Sequence, residues 1–444
     1  MRSFYNMRSD FRRLFGLSVL ILFAASATGQ TVSPYSIFGN GERESGKLAN
    51  QLGMGGISTG LRDPLQINIS QPASYSSLLY TTIEIGGFYQ ETFLNDGAQQ
   101  VQTNSGGFNY LSLGFPLGEK LGMSIGLLPY SKVGYDIEAR TSTPFSDANV
   151  QYSGEGGFDR AYFGLGWELY KGLSVGANGS YYFGSSERLT TVLFDNTNFY
   201  HITREENILA SGFSWDAGVQ YQMNFSGDRD LILGATFTPK TTMSGEVNDL
   251  QYTFTQNASG TRFYNDTVYS TQAKNVNVVF NSNYSFGFTF GGRHEQLVQH
   301  AWSFGAGYKL MNRDELTAST EIRGEYQQGF RANIGGQMIP YYTFDMNRGN
   351  YFSQIDYRLG AFYENTGLVV GGEAINDFGG TIGLGLPIGR RTQAPGDVKL
   401  ATLNIGMIVG RRGTEASGNI SETYTRFVVG LTLNDKWFTQ FKYR

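Results

Sequence analysis

The stretch Arg160-Ala161-Tyr162-Phe163-Gly164-Leu165-Gly166-Trp167-Glu168-Leu169 decides the fold. Ala161, Phe163, Leu165, Trp167 and Leu169 fall at every second position, with Arg160, Tyr162, Gly164, Gly166 and Glu168 between them. Residues two apart share one face of a strand. One face is therefore greasy, and the other is rich in glycine. The same period runs through Phe213, Trp215, Ala217, Val219, Tyr221 and Met223, and through Tyr284, Phe286, Phe288 and Phe290. It returns in Trp302, Phe304, Ala306, Tyr308 and Leu310, in Leu403, Ile405, Met407 and Val409, and in Phe427, Val429, Leu431 and Leu433.

Alternation alone fits a soluble β-sandwich, whose greasy face is hidden in a core, or a membrane barrel, whose greasy face meets lipid. Three features favour the barrel. The polar face carries Gly, Ser, Thr and Gln with few charges, unlike a surface facing water. Aromatic pairs such as Trp437-Phe438 and Tyr341-Tyr342 sit near strand ends, as interfacial girdles do. The strands are also longer than the ~5–6 residues usual in soluble sheets. The pattern predicts an all-β, transmembrane antiparallel barrel of about 14 strands. They lie near 80–94, 106–117, 121–137, 155–169, 173–189, 206–223, 230–245, 272–290, 299–311, 326–340, 352–364, 375–388, 397–411 and 421–434. Leu117–Lys120, Tyr170–Gly172 and Ser226–Arg229 read as tight periplasmic turns, and 138–154, 190–205 and 246–271 as long outer loops.

Composition agrees. Glycine makes up 59 of 444 residues, aromatic residues 15 % and charged residues 16 %, against a usual ~7 % glycine and ~25 % charge. A net charge of −4 and a pI near 5.6 disfavour nucleic acid as a partner. No run of about 18 apolar residues exists for a membrane helix. The absence of cysteine removes disulfides, thiolate metal sites and a lipidated N-terminal cysteine.

The N-terminus reads as an export signal over residues 1–29. Arg2, Arg8, Arg12 and Arg13 precede an apolar run from Leu14 to Ala25, and Ala27-Thr28-Gly29 supplies small residues before a cut at Gln30. The expected destination is the outer membrane of a two-membrane envelope. Residues 30–79 lack alternation and are rich in Gly and Pro, whereas 80–444 form the barrel. A 14-stranded ring lies between barrels filled by side chains and open porins. The segment is therefore expected to enter from the periplasmic side and fill the lumen as a hatch, packing through Leu48, Leu52, Met54, Ile57, Leu61 and Leu65.

Chemistry is sparse. His201 falls in an expected outer loop, and His294 and His300 flank an expected periplasmic turn as solvated residues. No Ser-His-Asp set, metal cluster or cofactor motif can be assembled, and Gly53-Met54-Gly55-Gly56 lacks the lysine of a phosphate loop. The chain is not read as an enzyme. Arg160, Glu168, Asp216, Lys309, Asp356, Arg358 and Glu364 fall on the inner face, where pairing with one another or with the hatch is expected, or else a polar path for solute.

Short motifs add a resemblance. Ser33-Pro34-Tyr35-Ser36-Ile37-Phe38-Gly39, Leu52-Gly53-Met54-Gly55-Gly56 and Gln71-Pro72-Ala73-Ser74 resemble the FadL-like family of outer-membrane barrels, the long-chain fatty acid transporters. Tyr357-Arg358-Leu359-Gly360-Ala361, Gly383-Leu384-Gly385-Leu386-Pro387 and Gly410-Arg411-Arg412-Gly413-Thr414 resemble a divergent branch. The resemblance implies 14 strands, an N-terminal hatch, a wall strand kinked open to the bilayer and passage of hydrophobic molecules. Gly53, Met54, Gly55, Gly56, Gln71, Pro72 and Ala73 would then mark the hatch or ligand path, with outer-membrane lipid and a hydrophobic ligand as partners. The alternative is a non-transporting accessory subunit of an outer-membrane assembly or secretion complex, with protein-contact loops such as 246–271.

Overall fold

The computed structural model of the chain describes residues 33–437, apart from Phe145, Thr197, 226–227, Ala258, 294–298, 313–324, 341–349 and 389–399. The expected export signal, His294, Tyr341-Tyr342 and Phe438 lie outside the described residues.

After a two-residue strand β1 (Glu42–Arg43), the wall begins with β2 (Thr81–Asn95), β3 (Gln100–Pro116), β4 (Leu121–Ser142), β5 (Asp147–Tyr170), β6 (Leu173–Phe194) and β7 (His201–Phe225). It continues with β8 (Arg229–Thr238), β9 (Thr241–Gln256), β10 (Arg262–Phe280), β11 (Asn283–Arg293), β12 (His300–Met311), β13 (Glu325–Tyr326) and β14 (Gly329–Met338). It ends with β15 (Asp356–Val370), β16 (Glu373–Pro387), β17 (Leu400–Arg412) and β18 (Ser421–Asp435). Three wall strands are interrupted, so β8 with β9, β10 with β11, and β13 with β14 each count once. The result is a closed antiparallel barrel of 14 strands. Closure runs from Asp435↔Thr81 to Ser421↔Asn95, leaving no edge in lipid.

The alternation sets the faces. Phe163, Leu165 and Trp167 point out and are 46, 42 and 54 % exposed, while Gly164 and Gly166 between them are buried inside. Two aromatic rings bound the greasy band. One passes through Tyr181 and Phe213 (4.8 Å), Trp215 and Phe237 (5.8 Å) and Phe330 and Tyr363 (5.9 Å). The other includes Phe290 and Trp302 (5.7 Å) and Phe115 and Trp437 (6.0 Å).

The stretches expected as long outer loops are mostly strand. β4 to β7 contain 22, 24, 22 and 25 residues, about twice the ~9–11 that a tilted strand needs to cross lipid. With β9 and β10 they stand as a tall six-stranded sheet beyond the outer ring of aromatics. The reading failed there because side chains above the bilayer need not alternate. The sheet bends at its foot. Gly156 and Gly157 take φ of +105° and +144°, and a Cβ on Gly157 would lie 2.2 Å from the Ser131 carbonyl oxygen. Pro239-Lys240 and Asn281-Ser282 break two further strands nearby. The periplasmic connections are not uniformly short either: β14 and β15 are separated by 339–355, which includes a helical turn at Tyr351–Gln354 where strand was expected.

Candidate functional site

The described N-terminal segment begins at the outer end of the barrel rather than at the periplasmic side. Ser33 Oγ donates to Glu422 at 2.7 Å, and the Tyr35 hydroxyl donates to the Ile420 carbonyl at 2.5 Å. Both partners lie where β18 starts, opposite the end where β2 starts. The segment then runs down inside the ring to Leu79. The reading missed this because chain order says only where a segment joins the wall, not which mouth it starts from.

At the top the wall is split. β3 and β4 pair only from Pro116↔Gly122 to Leu111↔Leu127. Pro129 follows, with a bulge against β5 between Pro129 and Ser131. The segment uses the edge of β4 freed by the split. Glu42 and Arg43 pair with Lys132 and Ser131, Glu44 N–H donates to the Tyr130 carbonyl at 2.9 Å, and Ser33 N–H to the Gly134 carbonyl at 2.9 Å. Gly41, at φ +85°, passes so close that a Cβ would meet the Lys132 carbonyl oxygen at 2.5 Å.

Charge ties the same stretch to other strands. Glu42 lies 2.6 Å from Arg412, which also faces Asp377 (3.2 Å) and Glu422 (3.6 Å). Glu44 lies 3.2 Å from Arg426 and 3.7 Å from Lys132. Burial alone would raise the Glu44 carboxyl, but those two cations outweigh it and hold it below the usual carboxylate range. Arg426 and Lys132 also sit 4.5 and 4.2 Å from the centre of the Phe88 ring. Of these carboxylates and arginines the sequence marked only Arg412, within the Gly410-Arg411-Arg412-Gly413-Thr414 resemblance, and gave it no partner. The charge run Glu42-Arg43-Glu44 in an otherwise apolar, glycine-rich segment was the available signal.

Lower down, the residues expected to mark the hatch split into two groups on different sides of the lumen. Gly53 to Gly56 lie against β14, β15 and β16. Gly55 N–H donates to Thr381 Oγ1 at 2.8 Å, and Thr381 donates to the Gly53 carbonyl at 3.0 Å. A Cβ on Gly335 would meet the Met54 carbonyl oxygen at 2.5 Å. Gln71, Pro72 and Ala73 lie against β5 to β8. Gln71 Nε2 donates to the carbonyls of Val219 and Ala235 at 3.2 and 3.3 Å, and Pro72 fills the space left by Gly166 and Gly176. Tyr75 is fully buried, with its hydroxyl donating to Asn178 at 3.0 Å. Leu48, Leu52, Ile67, Ile69 and Leu78 form one core with Phe88, Tyr110, Phe362, Ile408 and Val428 of the wall.

The inward charges form separate pairs. Arg160 meets Asp216 at 2.5 Å, with Asn178 donating to the other oxygen at 2.7 Å. Arg358 meets Asp356 at 2.5 Å and Asn404 at 2.7 Å. Arg331 meets Glu364 at 2.7 Å. Glu168 meets Arg62 of the segment at 3.6 Å, and burial pushes the Arg62 guanidinium down to about 10 against the pull of Glu168. His300 is not a solvated turn residue. It is buried and lies 2.5 Å from Asp230, which Arg293 also reaches at 2.9 Å. His201 opens β7 at the outer end. Between the segment and the wall lie chambers of about 140 and about 200 Å³, both lined by Lys47, Lys309 and Arg331. Burial holds the Lys47 amine well below its usual range, and Arg331 and Lys309 push it the same way. Among the described residues no group of three or more His, Asp or Glu is placed to hold a metal ion.

A family model described as BamG matches residues 12–444. Solved structures share the architecture. The Ralstonia pickettii toluene transporter TbuX superposes with a TM-score of 0.55 at 11 % identity, covering 88 % of this chain and 99 % of that one. A Pseudomonas aeruginosa FadL homologue gives 0.53 at 12 %, covering 88 and 98 %. The Pseudomonas putida toluene transporter TodX gives 0.52 at 14 %, covering 89 and 99 %. No curated protein matches the chain. The likeness to the structures is one of fold, a FadL-like barrel of the outer membrane.

Proposed function

The chain belongs to the BamG family, and we propose that its barrel works as a fixed, non-transporting subunit of a larger outer-membrane assembly. Residues 1–29 are a cleaved signal, 30–79 a plug and 80–444 the wall. The observation that carries this reading is the interlock of plug and wall from one mouth to the other. Glu42 and Glu44 bind Arg412, Arg426 and Lys132 at the top. Thr381 and Gln71 hold the middle, and Arg62 meets Glu168 near the bottom. Breaking a single buried ion pair costs about 3–5 kcal/mol. A plug shift that opened a passage would break several at once, and the interior it opened would be lined by charge rather than by hydrocarbon. Gentle detergent extraction followed by native sizing tests the proposal. The expected mass lies well above that of the chain. A free monomer of about 46 kDa, the 49.1 kDa chain less its ~29-residue signal, would overturn it.

A second reading, passage of hydrophobic small molecules, is favoured by the split between β3 and β4. A lipophilic molecule leaving sideways would use that split, and an anionic head would meet Lys47, Lys309 and Arg331. Uptake of lipophilic substrates by a deletion strain and its parent separates the two readings. Equal uptake removes this one.

A further inference from the structure

We propose that the split between β3 and β4 receives an extended, basic segment of a partner protein, which continues on β4 the ladder that β1 begins. This rests on the subunit reading above and names the surface through which the barrel joins its assembly. The first support is that the β4 edge already takes a strand. Its Tyr130 carbonyl accepts from Glu44 N–H at 2.9 Å, its Gly134 carbonyl from Ser33 N–H at 2.9 Å, and Gly134 N–H donates to Ser36 Oγ at 3.1 Å. Residues 130 and 134 therefore turn their backbone groups into the split. In an antiparallel ladder that direction alternates residue by residue, so Asp136, Glu138 and Arg140 turn theirs the same way.

β4 remains paired with β5 on its other side up to Ser142↔Asp147, and β3 with β2 up to Asn95↔Gln100. Among the described residues no strand pairs with β4 above Gly134 on the split side, or with β3 above Leu111. Two edges thus face one another beyond the outer aromatic ring. Paired backbone donors and acceptors at a period of two match a peptide, whereas lipid head groups offer no such row.

The second support is charge. Asp136 and Glu138 on β4 and Glu187 on β6 are exposed on the tall sheet beside the split. Arg140, the cation among them, is engaged by Asp195. A segment with Lys or Arg at alternate positions would set its cations against Asp136 and Glu138 while its backbone paired with β4.

The test is amide hydrogen exchange on the gently extracted assembly and on the same barrel stripped to a monomer. Amides of residues 136, 138 and 140 are expected to exchange at least roughly tenfold more slowly in the assembly. Glu138→Pro, which removes one edge donor, and the backbone-neutral pair Asp136→Lys with Glu138→Lys are each expected to reduce the assembled fraction. Glu119→Lys, in the β3–β4 turn at the opposite end, leaves it unchanged. Equal exchange in an intact assembly overturns the inference and leaves the subunit reading standing. A free monomer in the native sizing overturns both. Slow exchange already in the stripped monomer, or an assembly that proves to be two copies of this chain, overturns the inference alone.

Discussion

Gly55 of the N-terminal segment and Gly360 of β15 touch backbone to backbone: a Cβ on Gly360 would lie 2.2 Å from the Gly55 nitrogen, and one on Gly55 would lie 2.5 Å from the Ile334 carbonyl oxygen. Gly55 also takes φ of +70°. No side chain can yield at this seam, because both surfaces are main chain. Gly360→Ala is expected to destabilise the barrel by about 1–3 kcal/mol through overpacking. Gly380→Ala, on the neighbouring strand with nothing within 4 Å of its Cβ position, serves as the control. The temperature at which the folded band is lost on a semi-native gel reports the difference. Equal temperatures for the two variants would mean that plug and wall do not meet there.

Glu44 sits between Arg426 and Lys132 with only 6 % of its side chain exposed. Removing it leaves two cations facing each other in a desolvated site. Glu44→Ala is expected to cost about 3–5 kcal/mol. Adding Arg426→Met and Lys132→Met to a Glu44→Met background is expected to recover most of that loss, since no orphan charge remains. Urea midpoints of the three proteins decide it. A triple variant as weak as the single one would show that packing of the segment, and not charge, is what fails.

The wall was legible in the sequence because lipid enforces alternation. All 14 expected strands fall on wall strands, the interrupted ones included. Legibility stopped where lipid stops. Along residues 262–272 of β10 both faces meet water, as at Phe263, Tyr264 and Val268, which are exposed without regular alternation, so the strand there read as loop. The inward faces of Arg160, Asp216, Asp356 and Arg358 followed from parity alone. The ties from the wall back to the N-terminal segment did not: Arg426 reaches back across 382 positions to Glu44. The resemblance implied a kinked wall strand without placing it, and Pro129, which lacks an edge donor inside an otherwise regular strand, was the signal left unused.

Asp63, in the N-terminal segment, is buried, and burial raises its carboxyl above the usual range even though Leu65 N–H donates to it at 2.8 Å. A raised carboxyl binds its proton more tightly in the folded protein than in the unfolded one. Its effect therefore favours folding most below the ordinary carboxyl range, and that benefit is lost as pH rises through the folded-state value. Asp63→Asn keeps an oxygen to accept from Leu65 and removes the titration. The variant is expected to be more stable than the parent near neutral pH. The difference should shrink as pH falls towards 4. Urea midpoints measured across that range check the sign. A variant less stable at neutral pH would mean that the cations near Asp63 already hold it ionised at no cost.

Gly97 and Gly118 provide a test of orientation, because each has nothing within 4 Å of its Cβ position and lies in a turn at an opposite end of the wall. The chain contains no cysteine, so a single introduced thiol is unique. Gly97 lies at the end where Ser33 bonds Glu422, and Gly118 at the end where β2 begins. A barrel whose first and last wall strands start and finish at the periplasm places Gly97 outside the cell. Gly97→Cys is expected to react with a membrane-impermeant maleimide on intact cells, and Gly118→Cys only after the outer membrane is permeabilised. The reverse pattern would invert the barrel. It would also bring the start of the plug back to the periplasmic mouth and place the tall sheet, with its split, inside the envelope.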